Sequence, residues 1–324
     1  MECSSHDETC NSDNHWRYDH LIESCRGRYE PIRTVVVHPC DDDSIQGPVQ
    51  AAAAGLIVPI LVGPKKRVQQ AAAKAGVDIS GFRLVDVEHS HAAAVAGVDL
   101  VRAGEGEALM KGSLHTDELM GAVVHRERGL RTARRISHVF VMDIPEFPRP
   151  LFITDAAINI APTLEVKQVI CQNAIDLAID MGIQLPRVAV LSAVETVNPG
   201  IPSTIDAAAL SKMADRGQII GGLVDGPFAY DNAISVKAAK GKNIGGPVAG
   251  MADILLVPDL EAGNMLAKQL TFQAHAEGAG VVLGARVPVI LTSRADNART
   301  RMASCAVAMQ MVEARRKRAL KVEA

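Results

Sequence analysis

TVVVHPCDDDSIQGPVQAAAAGLIVPILVGPKKRVQQAAAKA, Thr34–Ala75, decides the fold class. Thr34–Pro39 is a β-branched run suited to a buried strand, and Asp41–Ser44 places capping side chains ahead of the alanine-rich Val49–Leu56. Pro59–Pro64 is the next apolar run and Lys65–Ala75 the next helix. Short strands alternating with helices imply right-handed crossovers and a mostly parallel sheet. Outward from this stretch the series continues with a strand at Phe82–Val87, a helix at His89–Ala103, a strand at Leu109–Gly112 and a helix from Thr116 through Val124.

The composition agrees with an α/β class. Hydrophobic residues make up 48% of the 324 residues and aromatics only 3%, so the core is built from Ala, Val, Ile and Leu, as helices packed on a parallel sheet often are. This length suits two domains of ordinary size. Asp143–Pro150, DIPEFPRP, stops regular structure with three prolines and marks the first boundary. Beyond it a second series runs through a helix at Thr163–Met181, a strand at Arg187–Ser192, a helix at Ser203–Asp215 capped by Ser203, and a strand at Gln218–Val224.

A formal net charge of −3 supplies no general field for nucleic acid or an anionic membrane, so an anionic ligand has to be held by local arginines. The six cysteines contain no CxxC pair, which points to a reducing, cytoplasmic setting rather than a disulfide framework. No signal segment is expected, and Arg286 interrupts the most apolar C-terminal stretch well short of a bilayer span. Residues 1–20 read as a disordered tail whose removal before His20 leaves turnover nearly unchanged. Cys3, His6, Cys10 and His15 within it are too irregularly spaced for a metal site, and none is expected elsewhere.

Several segments could hold a ligand. Gly104–Ser113 superficially resembles a phosphate loop, but Met110 stands where a Walker loop needs Gly, and Leu109 where a dinucleotide fingerprint needs its third Gly. The run Arg126, Arg128, Arg131, Arg134, Arg135 reads equally as a solvated loop or as contacts to a polyphosphate. Asp225–Ser235, DGPFAYDNAIS, holds Asn232 in a turn beyond a strand, where loops line the crevice of open α/β sheets. Ala252–Asn264 follows: Pro258 ends a strand, Glu261 opens a helix, and Gly263 and Asn264 lack bulk and let a ligand approach. In Val281–Arg301 the strand Val287–Leu291 leads to the capping pair Thr292 and Ser293, with Arg294 in the first helical turn. A cation at the positive end of a helix needs an anionic partner or free solvation; a phosphate is one such partner.

VLSAVETVNPGIPST (Val190–Thr204), KMADRGQIIGGLVDGP (Lys212–Pro227), DNAIS (Asp231–Ser235), PVAGMADILLVPDLEAGN (Pro247–Asn264) and ILTSRAD (Ile290–Asp296) together resemble the phosphate acetyl/butyryltransferase family. LMKGSLHT (Leu109–Thr116) and ISHVFVMD (Ile136–Asp143) extend a weaker resemblance into the first half. The resemblance implies two α/β domains of isocitrate/isopropylmalate dehydrogenase-like architecture with a ligand cleft between them. Residues 21–149 and 289–324 would form the first, the C-terminal helix returning to it, and 150–288 the second. It implies a homodimer and reversible acyl transfer between coenzyme A and phosphate, acetyl before butyryl, with coenzyme A as substrate and no other cofactor. A non-catalytic acetyl-CoA-sensing domain is the alternative of another class. By the same resemblance Arg294 binds phosphate, Ser293 orients the thiol and acyl groups, and Thr292, Asn232, Pro258, Glu261, Gly263 and Asn264 contact substrate. The family often carries an Asp where this chain has Thr300, which is no base at neutral pH; Asp296 is the nearest carboxylate, expected on a different helical face.

Overall fold

A computed structural model describes residues 15–291 and 296–322. The chain begins with α1 (Trp16–Cys25) and proceeds as β1 (Ile32–Val37), α2 (Asp42–Ala53), β2 (Ile57–Gly63), α3 (Lys65–Ala75), β3 (Arg83–Asp86), α4 (Ser90–Arg102), β4 (Ala108–Lys111) and α5 (Thr116–Val123). Two strands, β5 (Ser137–Asp143) and β6 (Leu151–Thr154), flank the proline-rich turn. Then come α6 (Leu164–Asp180), β7 (Arg187–Leu191), α7 (Pro202–Asp215), β8 (Leu223–Phe228), α8 (Tyr230–Ile234), α9 (Val236–Gly241) and β9 (Ile254–Leu256). The chain closes with α10 (Leu260–Gln273), β10 (Glu277–Leu283), β11 (Val289–Ile290) and α11 (Ala298–Val322).

The strands form one 11-stranded sheet in the order β3-β2-β1-β4-β11-β10-β5-β6-β9-β7-β8. Ladders toward both ends are parallel, as the alternating pattern requires; the three in the middle, β11 with β10, β10 with β5 and β5 with β6, are antiparallel. The two parallel halves therefore run in opposite directions on either side of β10 and β5. β11 returns late in the chain to pair with β4, and α11 packs on α1, α2 and β10. Helices on the sheet bury an aliphatic core to which Phe152, Leu61, Leu109 and Ile254 contribute with no measurable exposure. No helix among the described residues is long and apolar enough to cross a membrane.

Four expectations about elements are corrected. The expected tail does not reach His20, because α1 starts at Trp16 and buries Tyr18, Ile22 and Cys25, spaced for one helical face, against α11. Residues 1–14 lie outside the described residues, the expected metal set's Cys3, His6 and Cys10 among them. The strand expected at Gln218–Val224 is shifted to Leu223–Phe228. Side chains of α6 occupy the backbone ahead of it: Gln172 accepts from Ile220 N (2.9 Å) and donates to Ile220 O (2.9 Å), while Gln168 donates to Gln218 O (2.9 Å). The third correction concerns α11, which opens at Ala298, after the Thr292/Ser293 pair. Asn297 is its cap, its side-chain oxygen accepting from Thr300 N at 2.8 Å. Ser203 likewise does not cap α7; Ile201 holds that position and the Ser203 hydroxyl bonds Ser192 Oγ at 2.8 Å.

Candidate active site

The site is assembled where the antiparallel centre of the sheet meets α10 and the approach to α11. Beyond β6 the Asp155 carboxylate, 2% exposed, organises its own loop. It accepts from Ala157 N (3.0 Å), Ile158 N (3.0 Å), Asn159 N (3.3 Å) and Asn159 Nδ2 (2.6 Å). Arg135 Nε reaches the same Asn159 at Oδ1, 3.1 Å away, which ties one arginine of the basic run to this loop. The start of α10 sits directly on it. Asp259 caps the helix by accepting from Ala262 N (2.9 Å), and Asn264 Nδ2 donates to Ala156 O (3.2 Å). A methyl group at Gly263 would stand 2.8 Å from Val257 Cγ2 and 3.0 Å from Asp155 O. That glycine is required by the close approach of helix and loop, so protein rather than ligand occupies the space its missing side chain leaves.

One face of α10, at positions 264, 268, 271 and 272, borders a cavity of about 450 Å³. Its polar wall carries Asn264, Lys268, Glu277, Asp296, Asn297 and Thr300, and its apolar wall includes Phe140, Met142 and Phe272. Glu277 Oε1 accepts from Asn297 Nδ2 at 2.6 Å, while its Oε2 is buried with no hydrogen-bond partner among the described residues. A buried acceptor left open is costly, so Oε2 is a ready acceptor for a donor entering the cavity. Glu277 is held by the backbone: Tyr18 Oη shares its one proton between Val141 O and Glu277 O (2.9 Å) and accepts from Ala279 N (2.5 Å). Burial raises the Tyr18 pKa well above the ordinary value, and the Asp143, Glu277 and Asp296 charges add to that, so the phenol remains a neutral donor.

His138 lies behind this cavity, on the same face of β5 as Phe140 and Met142, with the Phe140 ring edge-on at 4.4 Å. Burial lowers its pKa to about 4 against a raising influence from Asp155, so the imidazole is neutral at pH 7; its Nδ1 has no hydrogen-bond partner among the described residues. A Cβ at Gly280 would meet His138 Nε2 at 3.0 Å and Leu291 O at 2.8 Å. This places the imidazole beside the backbone that immediately precedes residues 292–295.

The sequence-derived residues separate accordingly. Thr292, Ser293 and Arg294 lie outside the described residues. Asn264 and Asp296 come together in the cavity, and Thr300 joins them with 4% exposure. The expectation of different helical faces for Asp296 and Thr300 is corrected, because Asp296 precedes α11 and both line one space. Pro258 lines a different cavity, of about 620 Å³, with Ser192, Tyr230 and Gln273. Glu261 is exposed on the first turn of α10, and Asn232 is fully buried with neither side-chain amide atom partnered among the described residues. Sequence reasoning missed Lys268, Glu277 and His138; the four- and seven-residue steps from Asn264 to Lys268 and Thr271 were the available signal for the first. Cys305 is unexposed in the core, and burial pushes its thiol up to about 12. Among the described residues no group of three or more His, Cys, Asp or Glu side chains is placed to hold a metal ion.

Residues 90–309 match the family described as Phosphate acetyl/butaryl transferase. The chain belongs to this family. Within it, the phosphate acetyltransferase of Rhizobium meliloti is 60% identical over 308 residues, covering 95% of this chain and 96% of that protein. The phosphate butyryltransferase of Clostridium beijerinckii is 42% identical over 301 residues, covering 93% and 99%. Among solved structures, a branched-chain phosphotransacylase from Enterococcus faecalis superposes with a TM-score of 0.76 at 30% identity, covering 87% of this chain and 99% of that one.

Proposed function

We propose that the protein transfers an acyl group reversibly between coenzyme A and inorganic phosphate, with acetyl as its principal acyl group, in the cavity bounded by Asn264, Glu277, Asp296 and Thr300. The observation that carries this assignment to the cavity is the presence there of two carboxylates, the half-satisfied Glu277 and Asp296, the latter two positions after Arg294 in the sequence. In the synthetic direction the coenzyme A thiol gives its proton to a carboxylate. The sulfur then attacks the carbonyl carbon of the acyl phosphate, and the carbon–oxygen bond to phosphate breaks as phosphate departs. Arg294 would receive the phosphate through a charge-assisted hydrogen bond, and Ser293 would orient the reacting carbonyl. Asn264, fixed by Ala156 O, supplies a positioned amide. A thiol with an ordinary pKa near 8.5 is only a few per cent ionised at neutral pH, so the carboxylates and local cations share the work of forming thiolate.

The apolar wall of Phe140, Met142 and Phe272 also suits a longer acyl chain, which favours butyryl as the second substrate; one or two methylenes change transition-state binding by only about 1–3 kcal/mol. Coenzyme A serves as a substrate in this reading and no further cofactor is involved. A cytoplasmic homodimer, with residues 21–149 plus 289–324 and residues 150–288 as its two domains, completes the proposal. Asp296→Asn tests the site. With Glu277 in the same cavity, attack of coenzyme A on acetyl phosphate should slow by less than about a hundredfold. Abolished turnover with phosphate binding intact and one titration gone from the pH–rate profile would make Asp296 the sole base and refute shared activation.

A further inference from the structure

A second polar cavity, of about 660 Å³, lies between α6, the far end of α11, the loop at Thr132–Arg134 and the turn at Gly284–Arg286. It shares no lining residue with the acyl-transfer cavity. Thr300 and Arg315 are on the same helix, so the two cavities are separated along α11 by about 22 Å, at roughly 1.5 Å per residue.

Four arginines, Arg134, Arg286, Arg315 and Arg318, face two aspartates, Asp176 and Asp180. Every carboxylate oxygen is already engaged. Asp180 is held by Arg318 through both oxygens, at 2.6 and 3.1 Å. Asp176 accepts from Arg134 at one oxygen and from Gln172 Nε2, 2.9 Å away, at the other. Arg286 and Arg315 have no carboxylate partner among the described residues; Arg315 Nη1 donates to the Arg286 carbonyl at 2.7 Å. Half-buried Arg315 thus donates to one neutral acceptor; burial acts most strongly against its charge, the nearby Asp180 carboxylate favours it, and Arg318 and Arg134 oppose it. A partly desolvated guanidinium that hydrogen-bonds no carboxylate beside an open cavity calls for an anion. The excess of two positive charges sets the charge of that anion, and Leu177, Leu283 and Met311 give it an apolar flank.

We infer that this cavity is a binding site for a compact polyanion, phosphorylated or polycarboxylate, separate from the acyl-transfer site. The test is calorimetric titration of the full-length protein with inorganic pyrophosphate and, separately, with citrate, coenzyme A being saturating in both. Binding of pyrophosphate alone identifies a phosphorylated ligand class, and binding of citrate alone a polycarboxylate. At least one anion should bind at one equivalent, and its affinity should fall at least about tenfold in Arg315→Gln and in Arg134→Gln. The KM for coenzyme A should stay within about twofold in both variants. Should Arg315→Gln fail to fold, the exposed Arg134 position decides. Absence of binding for both anions, or unaltered binding in the folded variants, overturns the inference; so does a KM for coenzyme A that rises as anion binding is lost, which would assign the cavity to coenzyme A.

Discussion

Replacing Arg17 with Met removes the cation from a buried ion pair that fastens α1 to the end of β5. The Arg17 and Asp143 side chains are 8% and 0% exposed, and Nη1 stands 2.7 Å from Oδ1. The guanidinium also donates to the Ile144 carbonyl (3.3 Å) and to the Phe147 carbonyl. Among the described residues Asp143 then keeps Tyr18 N at 3.3 Å and His15 Nδ1 at 3.7 Å. Methionine preserves the apolar stem, so the loss is that of charge and hydrogen bonds. Removing one member of a buried pair costs about 3–5 kcal/mol. At about 2–4 °C per kcal/mol, that lowers Tm by roughly 6–20 °C, and less in a chain of this length. Thermal and denaturant unfolding monitored by circular dichroism measure it. Arg17→Met/Asp143→Leu should recover most of the loss, because both charges leave together. The expectation that residues before His20 are dispensable is reversed by the same geometry: a deletion ending at His20 should destabilise at least as much as Arg17→Met. A Tm within about 2 °C of wild type for Arg17→Met would refute the argument.

Gly263→Ala should cost ~1–3 kcal/mol by overpacking against Val257 and the Asp155 carbonyl, read as a fall in denaturation midpoint. The pH dependence of stability should carry the signature of His138. Its folded-state pKa is lowered to about 4 from 6.5, so the unfolded chain takes up the proton first. Stability is therefore full above about pH 6.5 and declines as pH falls toward 4, by up to ~3 kcal/mol, and His138→Gln should flatten that slope. Asn232→Leu should leave Tm unchanged or raised, because neither amide atom loses a partner; a loss above about 2 kcal/mol would contradict the absence of partners.

Local signals made much of the fold readable. Lys65–Ala75 is helical over the expected residues because Pro64 starts it and Gly76, in the left-handed conformation at φ 67°, ends it. β1 and β2 follow their β-branched runs within two residues. The antiparallel centre was not readable: β10 is EGAGVVL, with no alternation, and its pairing with β5 joins segments far apart in sequence. The same holds for the site. Asn264 and Asp296 lie in segments with turn and capping chemistry of their own. Glu277 reaches the cavity, with His138 behind it, because β10 pairs with β5 and because Tyr18, from a helix at the other end of the chain, bonds the Glu277 backbone. α1 itself was hidden by a polar composition in which only Tyr18, Ile22 and Cys25 carry the buried stripe.

The central claim is acyl transfer between coenzyme A and phosphate, and the direct measurement is acyl-CoA formation from coenzyme A with acetyl phosphate and butyryl phosphate side by side, for wild type and Arg294→Gln. The account predicts turnover with both donors, the larger kcat/KM for acetyl phosphate. Arg294→Gln should reduce it by on the order of 1.5–3 kcal/mol of transition-state stabilisation while Tm holds. A folded protein that binds coenzyme A yet forms no acyl-CoA from either donor would contradict it.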